Sequence, residues 1–86
     1  RANATRRAEL APLKKKVTSK EREVDKLAQE IARLDETLGD TSFYERDPEA
    51  AADLARKRGE LAKSLERAEQ EWLTASEAYE EANLQP

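Results

Sequence analysis

LGDTSFYERDPEAAADL, residues Leu38 to Leu54, separates two long rows of regularly spaced apolar residues. Upstream stand Leu10, Leu13, Val17, Val24, Leu27, Ile31, Leu34 and Leu38, at steps of 3, 4, 7, 3, 4, 3 and 4. This is a heptad seam with a positions at 10, 17, 24, 31 and 38 and d positions at 13, 20, 27 and 34. Lys20 is its one polar member. Downstream, Leu54, Arg58, Leu61, Leu65, Ala68, Trp72, Ala75, Tyr79 and Ala82 alternate steps of 4 and 3, with Arg58 as the polar member. Each row is the narrow stripe of a helix that needs a partner. A connection as short as Gly39 to Asp47 brings the second helix back antiparallel to the first. The expected fold is an all-α, antiparallel two-helix coiled-coil hairpin, monomeric and closed within one chain.

The connecting stretch carries its own punctuation. Gly39 is expected to take the left-handed position that ends helix one. Ser42 with Glu45 suggests a capping box for a short turn. Asp47-Pro48 reads as N-cap and first residue of helix two. Helix one is thus expected over about 12–38, the tip over 39–47 and helix two over about 48–82, with 83–86 a tail. Pro12 fits the first turn of helix one, leaving 1–11 as a linker, and fits equally a helix entering from a preceding domain. The chain opens without Met and in mid-pattern, as a piece of a longer protein would. Setting Leu38 beside Leu54 gives facing residues whose numbers total about 92. Lys20 then meets Trp72, and its stem is expected to lie across the indole as a cation–π contact.

Composition narrows the chemistry. Of 86 residues 41% are charged and 37% hydrophobic, which suits an elongated helical pair better than a thick core. With no Cys there is no disulfide or thiolate metal site; His is absent too, and the few Ser and Thr have no partner base at readable spacing. No apolar run approaches the ~18 residues of a membrane span, so no membrane role is expected. A cytoplasmic origin fits the lack of cysteine. Carboxylates such as Glu66, Glu69 and Glu80 lie on an exposed helical surface, where burial cannot separate their pKa values. No Gly-rich phosphate loop is present. No catalytic, cofactor or metal residue is assigned.

Charge is unevenly placed. Residues 1–22 hold eight basic side chains and two acidic ones, while the whole chain nets −3. The candidate nucleic-acid-binding residues are Arg6, Arg7, Lys14, Lys15, Lys16, Lys20 and Arg22. Lys15 and Arg22 fall at f and point away from the partner helix; Lys14 and Lys16 fall at e and g and can reach it. Two readings stay open: this cluster meets phosphates, or it balances Glu69, Glu71, Glu77, Glu80 and Glu81 of helix two. At the tip, Phe43 is expected to cover the end of the seam, with Tyr44 and Arg46 as contact residues. Trp72 and Tyr79 are expected to pack in the seam.

The order of signals also resembles a known family. The tip, Leu38-Gly39-Asp40-Thr41-Ser42-Phe43-Tyr44-Glu45-Arg46-Asp47-Pro48, and the stretch Glu69-Gln70-Glu71-Trp72-Leu73 resemble the C-terminal coiled-coil domain of the Uup- and YheS-like ABC-F ATPases. The resemblance covers about residues 6–82. It implies a cytoplasmic ATPase acting on ribosomes, with ATP and magnesium held in cassettes outside this segment. It also implies an arm that contacts rRNA, tRNA, DNA or the ribosome. Lys20-Glu21 matches part of the K-L-S-Y-K-E-type stretch of Uup-like members, while Ala11-Pro12-Leu13-Lys14-Lys15 looks more like the YheS side. The C-terminal arm of valyl-tRNA synthetase, another antiparallel coiled coil with a Phe at its tip, is a weaker likeness.

Overall fold

A computed structural model describes residues 2–85 as three helices: α1 (Ala2–Leu38), α2 (Thr41–Arg46) and α3 (Pro48–Leu84). Among the described residues there is no strand, and the fold is an all-α helical hairpin. Arg1 and Pro86, and with them the ends of the expected linker and tail, lie outside the described residues. The chain divides into two compact units, residues 25–67 and the pairing of residues 1–24 with 68–86.

The 25–67 unit contains the turn, and two aspartates make it. Asp40 is extended (φ −85°, ψ 104°) and caps α2: its Oδ1 accepts the Ser42 N–H at 3.0 Å and the Ser42 hydroxyl at 2.7 Å. Those bonds hold its carboxyl below the ordinary carboxylate range. The anticipated Ser42–Glu45 capping box is therefore replaced by an Asp40 cap two residues earlier. Asp47 serves two helices. Its N–H closes α2 on the Phe43 carbonyl at 2.9 Å, and its Oδ1 accepts the Ala50 N–H at 3.0 Å to open α3. Pro48 then fills the first position of α3, as its fixed φ and missing N–H favour.

Gly39 does not take the left-handed conformation, since no glycine in the chain has positive φ. The Gly39 N–H donates to the Asp35 carbonyl at 2.8 Å and the Asp40 N–H to the Thr37 carbonyl at 3.2 Å. These bonds satisfy two of the last four carbonyls of α1, and the extended Asp40 redirects the chain.

Burial in this unit follows the heptads. Ile31 is 8% exposed and Ala51 wholly buried, with Leu27, Leu34, Leu38, Leu54, Leu61 and Leu65 half-buried. Ala51 lies three residues before Leu54, so the second seam begins one layer earlier than its large residues indicate. Arg58, the polar member of that row, forms a two-pronged bond with Asp35, Nε to Oδ1 at 2.6 Å and Nη2 to Oδ2 at 3.1 Å. This guanidinium lowers the Asp35 pKa, and the carboxylate raises that of Arg58.

In the other unit the seam is built on small residues. Ala68 and Ala75 are buried, while Leu10, Leu13, Val17, Val24, Tyr79 and Ala82 are half-buried. Leu10, Leu13 and Ala82 line one recess, and the Arg6 guanidinium donates to the Asn83 carbonyl. Helix α1 does not begin at Pro12; it begins at Ala2 and carries Pro12 inside. Residues 2–11 are thus helical and continuous with the rest of α1. Pro12 sits at an exposed c position, away from the seam, where a missing helical hydrogen bond is least costly. At the other end α3 continues past residue 82 to Leu84.

Candidate nucleic-acid interface

Lys20 sits at a d position, and a lysine there must bring its ammonium out to the seam's edge. It does so toward Glu71, at 2.5 Å, with Glu23 of its own helix at 3.5 Å. The Glu71 hydrogen bond raises the Lys20 pKa above its ordinary value. The expected contact with the Trp72 indole is thus corrected to an ion pair with the residue before it. A charged hydrogen bond is stronger than a cation–π contact, and Glu71 occupies the flank that the Lys20 stem reaches. Trp72 is 37% exposed, so it covers the seam with part of its ring and leaves the rest to solvent.

That pairing divides the seven candidate cations. Lys20 is engaged with Glu71, and Arg6 with the Asn83 carbonyl. Arg7, Lys14, Lys15, Lys16 and Arg22 are exposed, and among the described residues none forms an ion pair. The structure therefore does not pair Lys14 or Lys16 with the acidic end of α3, although e and g positions permitted it.

Lys14, Lys15 and Arg22 share a shallow groove with Ala11, Thr18 and Ser19. The spacing explains this: residues 11, 14, 15, 18 and 22 recur at helical intervals and lie on one face. The Thr18 hydroxyl donates to the Lys14 carbonyl at 3.1 Å, so it turns inward and leaves the cationic tips uppermost. The result is a strip of ammonium and guanidinium groups over a low apolar floor, suited to phosphate oxygens. It is not preorganised for discriminating bases, because its side chains are long and unbraced.

At the tip, Phe43 is half-buried and meets the Tyr44 ring edge-on at 6.5 Å. Tyr44 is the exposed ring, at 44%. Arg46 donates weakly to the Ser42 hydroxyl at 3.4 Å, is exposed, and lies near enough to Asp40 for its charge to help lower that carboxyl's pKa. Among the described residues no group of three acidic, His or Cys side chains could hold a metal ion. No described helix is long and apolar enough to cross a membrane.

An antiparallel hairpin with a capped six-residue turn and a segregated base places the molecule in the class of coiled-coil hairpin domains. Its family is specific: the model of the ABC transporter C-terminal domain matches residues 6–77, and the chain belongs to that family. The match agrees with the ABC-F likeness of the tip and of the Trp72 stretch rather than with the synthetase arm. No curated protein and no solved structure matches the chain.

Proposed function

We propose that this chain is the coiled-coil arm of an ABC-F ATPase and that the outer face of α1 contacts nucleic-acid phosphates, in ribosomal RNA, tRNA or DNA. The observation that carries the reading is the exposed strip of Lys14, Lys15 and Arg22, none of which forms an ion pair among the described residues. A cation without a partner keeps its full field, and releasing counterions from a polyanion is the strongest use of such a field. Arg7, at e, extends the strip, Lys16 stands beyond it at g, and Tyr44 with Arg46 provides a separate contact at the tip. The arm itself performs no chemistry. ATP and magnesium belong to the cassettes of the parent protein, which works in the cytoplasm on the ribosome. Family membership supports the ABC half of this reading, and the charge pattern supports the nucleic-acid half.

Fluorescence anisotropy with an rRNA fragment, a tRNA and single-stranded DNA tests it. The expected result is binding at low salt that weakens steeply as salt rises and drops at least tenfold in Lys15→Glu/Arg22→Glu. Lack of affinity for all three probes at low salt would overturn the electrostatic reading. Binding that survives the double reversal would place the contact on another face.

A further inference from the structure

The 1–24/68–86 unit carries a second unmatched row beside the first. The last stretch of α3, from Ala68 onward, has five acidic residues and no basic one. Glu71 is engaged by Lys20, whereas Glu69, Glu77 and Glu80 are exposed and form no ion pair among the described residues. On the same helix Leu73 is 45% exposed and Leu84 85% exposed. Leu73, Glu77, Glu80 and Leu84 follow steps of 4, 3 and 4, so they form one stripe on the side away from the seam.

Heptad positions fix where this stripe lies relative to the basic one. With Ala68, Ala75 and Ala82 at d, Glu69 is at e, Leu73 and Glu80 are at b, and Glu77 and Leu84 are at f. On α1, Lys14 is at e, Ala11 and Thr18 are at b, and Lys15 and Arg22 are at f. In an antiparallel pair the e positions of both helices fall on the same flank of the seam, with b and f beyond them. The basic row and the acidic, leucine-bearing row are therefore neighbours on one broad face. They cannot neutralise each other, because their f-position charges diverge.

We propose that this face is the contact between two copies of the chain, related by a two-fold axis parallel to the helices. Such an axis lays α1 of one copy on α3 of the other at the same level, and then does the reverse, so one patch serves both copies. The levels follow from Lys20 with Glu71 and from Leu10 with Ala82, whose numbers total 91 and 92. At that register Lys15 faces Glu77 of the second copy, Arg22 faces Glu69, and exposed Leu84 lies on Ala8. Leu73 falls level with Ser19 and enters the groove lined by Lys15, Thr18, Ser19 and Arg22. Any other axis in that plane that sets α1 on α1 opposes like charges. This inference goes beyond the nucleic-acid reading and is tested without any polyanion present. The two share Lys15 and Arg22, so a bound polyanion and a second copy exclude each other.

Sedimentation equilibrium of the 86-residue chain provides the test. At about 0.02 M salt, where screening is weak, the mass should rise with concentration from 9.7 kDa toward twice that value. At about 0.5 M salt the apparent dissociation constant should be at least tenfold weaker. Lys15→Glu/Arg22→Glu and Glu69→Lys/Glu77→Lys should each be monomeric alone and associate with each other when mixed. The chain carrying all four substitutions should recover self-association. A wild-type chain that stays at 9.7 kDa in low salt would overturn the proposal, as would a mass that grows beyond the dimer. So would helical single-sided variants that do not associate on mixing.

Discussion

The unit of residues 25–67 mixes its charges along both helices, and the unit of residues 1–24 with 68–86 sorts them by helix. In the first, α1 contributes two basic and four acidic residues and the start of α3 five basic and four acidic. In the second, α1 contributes seven basic and three acidic residues and the end of α3 five acidic residues alone. The mixed unit pairs Arg58 with Asp35 and Arg56 with Asp53. In the sorted unit Lys20 pairs across the helices with Glu71, with its cation at the seam. Mixing lets opposite charges meet inside the chain, whereas sorting leaves both fields facing outward. The two units also differ in their cores. The mixed unit is centred on Ile31 and a doubly capped turn, and the sorted unit on buried alanines.

The largest stability effect should come from the core of the mixed unit. Ile31→Ala should cost about 2–4 kcal/mol in urea unfolding, as for other buried isoleucines. Val17→Ala, half-buried in the sorted unit, should cost about 1 kcal/mol or less. Equal losses would remove the distinction between the two cores. Next, Asp47→Ala should cost about 1 kcal/mol, because α3 loses its cap. Ser42→Ala should cost less, since Asp40 still accepts the backbone N–H at position 42.

Gly59 lies inside α3 in the mixed unit, and a Cβ added there meets nothing within 4 Å. Gly59→Ala should therefore stabilise by about 0.5–1 kcal/mol, seen as a raised melting temperature. The smallest effects are those of pH. Asp35 and Asp40 are held below the ordinary carboxylate value, so their contribution is complete above about pH 4 and is lost as pH falls through their lowered values. Lys20 is raised, so its contribution is complete below about pH 10 and is lost as pH rises through its own value. Acid titration should thus weaken the Asp35 and Asp40 contacts of the mixed unit, and alkaline titration the Lys20 contact of the sorted one. Residue-resolved hydrogen exchange checks that assignment.

Much of this was legible in the residue spacing. Steps of three and four located both seams, and Asp47-Pro48 opened α3 where a proline after a capping side chain should. The turn was harder, because Ser42 with Glu45 matched a capping box while Asp40 stood closer to the break and could accept from both Ser42 groups. Ala51 is too small to announce itself as a seam residue, though the step from Leu54 reaches it. The heptad register sets Lys20 level with Trp72, and spacing alone does not say that its ammonium turns aside to the neighbouring Glu71. Pro12 signalled a helix start, and nothing in spacing alone distinguishes that from a proline carried on an exposed face. Of the candidate site, the basic face could be read from heptad positions. The withdrawal of Arg6 and Lys20 from it could not, since both depend on where α3 lies.

The claim that sorted charge makes the α1 face a phosphate-binding surface is tested most directly by the salt dependence of affinity for a short DNA duplex. Contacts from about four cations, Arg7, Lys14, Lys15 and Arg22, predict a slope of log K against log salt of about −3 to −4. Lys15→Glu/Arg22→Glu should make that slope shallower by about 2, while Arg56→Glu/Lys57→Glu in the mixed unit should leave it unchanged. Equal slopes for the wild type and the Lys15/Arg22 variant, or an equal loss from the two double variants, would contradict the account.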